Sequence, residues 1–294
     1  MTYCTTGWVM TNYVATNYRT HTLGEIQDNG ADLIGKEVTV AGFMEANRGK
    51  GAICFVDLRD GTGKTQIFLK SDNIGAEELD MVQRMTREST LQFTGTVSQK
   101  RPPKLKEGET PPPPEYEVIA SKVNVIARAE APLPLGVTDT VHVELDTRLD
   151  NRFLDLRRAH VAAMFRLRGK VLQYGREALI NEGFFETHTP KIVATATEGG
   201  TDLFPMQYFD TPAFLNQSPQ LFKQLCMSGG LERVFEIGPA FRAEKHDTYR
   251  HLNEFISFDI ECSWATDDDV MGVLRSEEHT SELQSPMYLV CRLL

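Results

Sequence analysis

The chain has 294 residues, 41% hydrophobic and 24% charged, which is an ordinary globular composition long enough for two domains with sizeable cores. It contains no run of eighteen apolar residues, which excludes a transmembrane helix, and its first residues lack the basic and apolar regions of a secretory signal. The formal net charge of -10 does not exclude a nucleic-acid partner: residues 1–130 carry 15 Lys+Arg against 17 Asp+Glu, the remainder 16 against 24, and a local basic face can coexist with an acidic total.

Residues 1–17 show no consistent period and are expected to form a loose arm. From Glu37 the pattern turns β-like. EVTVAGFMEA alternates, AICFVDLRD follows an RGKG turn, and KTQIFLK follows DGTG, giving three short strands at hairpin spacing. AEELDMVQRM reads as a short helix, with Leu79, Val82 and Met85 three apart. STLQFTGTVSQ and YEVIASKVNVIARA then supply two more strands, separated by RPPKLKEGETPPPPE. Five strands with a helix between the third and fourth is the order of an OB-fold β-barrel, expected over residues 18–130. The proline run is its long connector or, less simply, a docking site for an SH3-type partner.

Residues 131–145 read as an extended linker. Beyond them Met164, Leu167, Val171, Tyr174 and Ala178 fall at helical spacing, with Gly183 where a C-terminal cap belongs. FFETHTPKIV, ERVFEIGPAFRAE and HLNEFISFDIECSW then read as strands. One long helix followed by strands, without regular β-α alternation, predicts an α+β domain with an antiparallel sheet. There is no G-x-G-x-x-G and no G-x-x-x-x-G-K-[ST], so a bound nucleotide must be held by another device. The five cysteines, Cys4, Cys54, Cys226, Cys262 and Cys291, are scattered and odd in number. That argues for a reducing, cytoplasmic location and against a zinc site or disulfide framework.

Three stretches carry chemistry. FFETHTPKIV is followed by ATATEGGTDLF with Glu198 in a Gly-rich segment. NQSPQLFKQL places Gln220 and Lys223 three apart at a helix start. FRAEKHDTYRHLNEF carries Arg242, Glu244, Arg250, His251 and Phe255 on a strand–loop–strand. The last suits a phosphorylated aromatic ligand, because Arg offers bidentate donors for phosphate and an aromatic ring can stack on a base. Read alone it is equally a solvated β-hairpin with Phe255 in the core.

Together these stretches resemble the class IIb aminoacyl-tRNA synthetases, most closely the archaeal and eukaryotic-type aspartyl-tRNA synthetases. GFFETHTPKIV resembles the family's motif 1 and FRAEKHDTYRHLNEF its motif 2, while TATEGGTDLF, FLNQSPQLFKQ and RLDNRFLDLRR match the aspartyl branch. The likeness runs from about Tyr18 to about Met271. It implies an ATP-dependent, Mg²⁺-assisted aspartate–tRNA ligase that forms aspartyl-adenylate and charges tRNA(Asp), with tRNA(Asn) as a further candidate acceptor. Arg242 would hold the ATP α-phosphate and the amino-acid carboxylate and be the catalytic residue. Glu244 would meet the adenine side, Phe255 would stack on the adenine, and Arg250, His251 and Leu252 would lie along the triphosphate. Glu198 and Gln220 would take the α-ammonium of L-aspartate, and Lys223 its side-chain carboxylate. Lys223 also has physical sense of its own: aspartate and asparagine are nearly isosteric, so a buried cation separates them where shape cannot.

The resemblance also implies that the barrel reads the anticodon through Arg48, Phe55 and Gln66, and that Pro190 lies at a homodimer interface. Period two does not tell which face of the Phe55 strand is core, so that residue is either a base-stacking platform or an inward core side chain. The family's motif 3 and its metal-holding acidic residues have no counterpart in this sequence. Residues 275–294 resemble translated sequencing-adapter text and are expected to be a non-native tail, leaving the catalytic domain incomplete over 146–274 and inactive as written. Within the class the alternatives are an asparaginyl enzyme or a tRNA-independent relative; outside it, a non-catalytic OB module that binds single-stranded nucleic acid.

Overall fold

A computed structural model describes residues 15–102, 111–137, 142–196, 203–245, 248 and 251–280, and the chain divides into two compact units between Pro134 and Leu135. In the first unit two short helices, α1 (Leu23–Asp28) and α2 (Gly30–Leu33), precede the strands. The sequence reading missed them, although Thr22 and Glu25 form a capping box: Thr22 Oγ1 accepts from Glu25 N at 3.2 Å, and the Glu25 carboxylate accepts from Thr22 N at 2.7 Å. Leu23 and Ile26 are thereby turned fully into the core.

The strands are β1 (Glu37–Lys50), β2 (Ile53–Arg59), β3 (Lys64–Lys70), β4 (Thr90–Gln99) and β5 (Tyr116–Ala127). Helices α3 (Ser71–Ile74) and α4 (Ala76–Gln83) sit between β3 and β4. They close into a barrel in the order β1-β2-β3-β5-β4. Alternation is strict on β2 and β3, where Cys54, Val56, Leu58, Ile67 and Leu69 are fully buried and their neighbours face out. Leu79 and Val82 of α4 add to that core, and Asn47 Nδ2 donates to the carbonyls of Val82 and Gln83 at 2.9 and 3.1 Å, satisfying the helix end. One expectation fails here. The first three residues of the expected RGKG turn are strand: β1 runs on to Lys50, and the hairpin turns at Gly51 (φ +65°) and Ala52.

In the second unit α5 (Leu145–Asp150) and α6 (Arg152–Asp155) lead into α7 (Ala159–Asn181). Gly183, at φ +83°, ends α7 as expected: Phe184 N donates to Leu179 O at 2.9 Å and Gly183 N to Ile180 O at 3.0 Å, a Schellman pair whose apolar members Leu179 and Phe184 are both buried. The helix is where its period put it. Val161, Gly175 and Leu179 turn inward, while Met164 and Tyr174 of the predicted stripe are about half exposed, at 54% and 48%. The helix carries two apolar lanes, and the sheet covers only one.

The remaining elements are β6 (Phe185–Glu186), β7 (Ile192–Val193), β8 (Pro205–Tyr208), β9 (Thr211–Leu215), α8 (Gln220–Ser228), β10 (Arg233–Phe241), β11 (Glu254–Cys262) and α9 (Asp267–Thr280). β10 and β11 pair antiparallel over nine residues, but β6 joins β10 in parallel, so this sheet is mixed rather than antiparallel throughout. FFETHTPKIV is not one strand. Its ends lie in two sheets, β6 beside β10 and β7 beside β9, because the segment between them bonds to side chains instead of to a ladder. The β8–β9 hairpin was not foreseen; its turn places Phe209 at φ +50°, where no Gly or Asn announces it. Helix α9 continues to Thr280, through the first residues of the segment expected to be non-native; residues 281–294, like the arm residues 1–14, lie outside the described residues. Among the described residues no helix is long and apolar enough to cross a membrane.

Candidate active site and nucleic-acid interface

The polar side of the β10–β11 sheet is set by period two. On β11, Phe255, Ser257, Asp259 and Glu261 alternate with Ile256, Phe258 and Ile260. Helix α8 lies over the polar row and drops Lys223 onto it. This lysine is 1% exposed, and its ammonium lies 3.4 Å from Asp259 Oδ1 and 3.5 Å from Glu261 Oε2, while donating to Ile260 O at 3.3 Å. Gln220, one turn earlier, donates through Nε2 to the same Glu261 oxygen at 2.9 Å. Ser257 Oγ donates to Asp259, holding that carboxylate in place. A buried ammonium is tolerated only with such compensation.

At the far end of the sheet Arg242 and Phe255 come together. The guanidinium carbon lies 5.3 Å from the ring centroid, a cation–π distance. Arg242 N donates to Asn253 O at 3.0 Å, and Glu244 N donates to Arg242 O at 2.8 Å and to Asn253 Oδ1 at 3.1 Å, which fixes the first turn of the connecting loop. His251 is exposed and its Nδ1 lies 2.6 Å from Thr248 Oγ1; Leu252 is exposed as well. Arg250 and Glu198 lie outside the described residues. Pro190 is exposed, and its carbonyl accepts from Asn216 Nδ2 at 2.9 Å. The structure therefore brings Gln220 and Lys223 into one cluster and Arg242 and Phe255 into another on the same strand pair. Asp259 and Glu261 belong to that arrangement and were missed in the sequence, although the alternation of SFDIE marks both as sharing a face with Phe255.

On the barrel, Phe55 points outward. It is half-buried between the fully buried Cys54 and Val56, so the inward alternative does not hold. Its ring lies 5.2 Å from that of Phe68, its register partner on β3, at an interplanar angle of 40°. Arg48 is the register partner of Phe55 on β1 and grips Asp57 with both guanidinium arms, Nη1 to Oδ2 at 2.9 Å and Nη2 to Oδ1 at 3.0 Å. Gln66, paired with Asp57 in the ladder, donates to Glu117 Oε2 at 2.8 Å. Arg48, Phe55 and Gln66 thus share one outer face, and Phe68, Asp57 and Glu117 complete it. A shallow depression lined by Arg48, Gly49, Lys50, Ile53 and Phe55 opens beside the aromatic pair. Stacking aromatics flanked by a cation is the arrangement by which OB barrels hold unpaired bases.

Comparison with known proteins agrees with both halves of this picture. Residues 144–280 match the family model for class II tRNA synthetases of the D, K and N type, and residues 38–126 match that of the OB-fold nucleic-acid-binding domain. The chain carries a class II tRNA synthetase domain behind an OB-fold domain. An aspartate–tRNA(Asp/Asn) ligase of Methanosarcina barkeri is 50% identical over 258 residues, which is 88% of this chain and 56% of that protein. An aspartate–tRNA(Asp) ligase of Picrophilus torridus is 49% identical over 248 residues, 84% of this chain and 56% of the relative. Among solved structures, the asparaginyl-tRNA synthetase of Pyrococcus horikoshii in complex with asparaginyl-adenylate superposes with a TM-score of 0.73 at 31% identity, covering 86% of this chain and 56% of that one. The chain spans about half the length of the curated relatives it matches.

Proposed function

We propose that this chain is the anticodon-binding barrel and part of the catalytic domain of an aspartate–tRNA ligase. The enzyme activates L-aspartate with ATP to aspartyl-adenylate and pyrophosphate and passes the aspartyl group to tRNA(Asp). The observation that carries the reading is Lys223, buried beneath α8 between Asp259 and Glu261 and beside Gln220. Aspartate carries one ammonium and two carboxylates. The sheet offers two carboxylates for the ammonium, Lys223 for the side-chain carboxylate, and Arg242 for the remaining carboxylate as it meets the α-phosphate. Asparagine would offer Lys223 no charge to pair with, a difference between the two substrates that shape alone cannot supply.

Adenylate formation needs positioning and charge neutralisation more than a protein acid or base. Arg242 would neutralise the α-phosphate and Phe255 would stack on adenine, with Glu244 beside the base and Arg250, His251 and Leu252 along the triphosphate. Glu198 would join Gln220 at the ammonium. Mg²⁺ would neutralise the phosphate oxygens; among the described residues no group of three or more His, Cys, Asp or Glu is arranged to hold it. A second acceptor, tRNA(Asn), is supported by the naming of relatives at about 50% identity. A homodimer through Pro190 is supported by the exposed apolar lane of α7, with Met164, Phe165 and Tyr174. A cytoplasmic location goes with the same reading. The test is aspartate-dependent ATP–pyrophosphate exchange and charging of both tRNAs by the full-length protein. Exchange driven by asparagine and not by aspartate would replace this reading with the asparaginyl one.

A further inference from the structure

Beneath the candidate active site lies a second lysine–carboxylate pair with no role in the scheme above. Glu236 of β10 is 1% exposed and is the direct ladder partner of Asp259, so the two carboxylates share one face of the sheet. Facing Cβ atoms in such a pair are about 5 Å apart, and like charges there repel. Each carboxylate has its own lysine. Asp259 has Lys223; Glu236 has Lys191, whose ammonium lies 2.5 Å from Glu236 Oε1 and 3.2 Å from Thr189 Oγ1. Thr189 Oγ1 also donates to Glu236 Oε2 at 2.7 Å. The backbone around Lys191 is fixed too: its carbonyl accepts from Asn216 N at 2.9 Å, and Asn216 Oδ1 accepts from Ser218 N at 3.1 Å, just before α8 begins.

We propose that Lys191 is a specificity-determining positioning residue of the amino-acid site. By neutralising Glu236 it prevents a third carboxylate, besides Asp259 and Glu261, from drawing on Lys223, so that the Lys223 charge remains available to the side-chain carboxylate of the substrate. The assignment rests on the aspartate-ligase reading and deepens it. Lys191 does not touch substrate; it sets the charge that the substrate meets. Without it, the face holds Glu236, Asp259 and Glu261 against Lys223 alone, a surplus of negative charge where an acidic amino acid must bind.

The experiment is aspartate-dependent ATP–pyrophosphate exchange by the full-length protein, with KM for aspartate and for ATP measured separately for wild type, Lys191→Met, Lys191→Arg, Glu236→Gln and the Lys191→Met/Glu236→Gln pair. Lys191→Met raises KM for aspartate about tenfold, the scale of one unpaired charge roughly 10 Å away at an effective dielectric of about 20. KM for ATP stays within about twofold, since the nucleotide end of the site lies at Arg242 and Phe255. Glu236→Gln moves KM for aspartate the other way or leaves it in place, and the double variant returns it to near the wild-type value. Lys191→Arg, which keeps the charge, behaves as wild type. If Lys191 only braces the fold, both single variants worsen together, KM for ATP and the melting temperature shift with KM for aspartate, and the double variant is worse than either; that pattern overturns the assignment. Should Lys191→Met fail to fold, a raised aspartate KM in Glu236→Gln overturns it as well. A wild-type protein without aspartate-dependent exchange sinks the ligase reading itself, and this assignment with it.

Discussion

Arg48 stands directly opposite Phe55 across the β1–β2 ladder, and it shares that outer face because the register shifts between Met44 and Ala46. Before the shift the even-numbered residues Val38, Val40 and Met44 point into the barrel. Without the extra residue, period two would send Arg48 inward with them. The bulge therefore lets one strand contribute to the core at its start and to the candidate nucleic-acid face at its end.

Replacing Phe55 by Ala should weaken binding of an anticodon stem-loop RNA by about 1–3 kcal/mol, or roughly five- to a hundredfold in Kd. The outward placement of the ring predicts little loss of barrel stability, because the core residues Cys54 and Val56 are untouched. Fluorescence anisotropy at fixed salt, alongside thermal melting, separates the two effects. Unchanged affinity would remove Phe55 from the interface, and a large drop in melting temperature would mean that the ring is structural.

Lys223→Met leaves Asp259 and Glu261 without their cation and removes the proposed partner for the substrate's side-chain carboxylate. In the full-length protein, aspartate-dependent pyrophosphate exchange should fall at least about a hundredfold in kcat/KM, and discrimination against asparagine should fall with it. A variant that keeps its preference for aspartate would show that another residue reads the carboxylate.

The difference between what the sequence disclosed and what it hid has a physical pattern. The barrel strands were legible because Val38–Val40 on β1 and Cys54–Val56–Leu58 on β2 alternate over runs long enough to show period two. Lys223 and Gln220 were legible because three-residue spacing on a helix puts both on one side. The extension of β1 to Lys50 was hidden by Gly49 and Gly51, which read as a turn, and the division of FFETHTPKIV by the fact that its middle is held by Glu236 and Asn216, far away in sequence. Asp259 and Glu261 were on a strand correctly expected, but only the fold shows which helix lies over them. The buried lane of α7 was not legible because two apolar lanes have the same period and sequence does not say which one meets the sheet.

Asp155 gives the second unit an acid-sensitive joint. Its carboxylate is fully buried, hydrogen-bonded by Arg148 Nε at 2.8 Å and by Arg152 Nη1 at 2.8 Å, with Arg158 Nη1 at 3.9 Å. The hydrogen bond from Arg148 is the main reason that its pKa lies below the usual carboxylate range, and the charges of Arg148, Arg152 and Arg158 add to it against the opposing effect of burial. A depressed folded pKa means that the unfolded chain binds the proton more readily, so the contribution is present above about pH 4 and lost as pH falls through the folded value. Urea unfolding followed from pH 7 down to pH 3 should show this loss, and Asp155→Asn should flatten that part of the profile while lowering stability at neutral pH. An equally steep acid limb in the variant would place the sensitivity elsewhere.

Two glycines should respond to the same substitution with opposite sign. A Cβ on Gly95 of β4 would lie 2.2 Å from Ile119 O and 2.8 Å from Ala120 Cα, backbone atoms of β5 at the point where the ladder register shifts. Neither can move without opening the seam that closes the barrel, so Gly95→Ala is expected to destabilise the first unit by about 1–3 kcal/mol. A Cβ on Gly169 of α7 meets nothing within 4 Å. There the only change is the backbone freedom lost on folding, and Gly169→Ala should stabilise the second unit by about 0.5–1 kcal/mol. Melting of the two variants against wild type decides both. A neutral Gly95→Ala would mean that the seam yields without cost, and a destabilising Gly169→Ala would mean that something outside the described residues occupies the space beside α7.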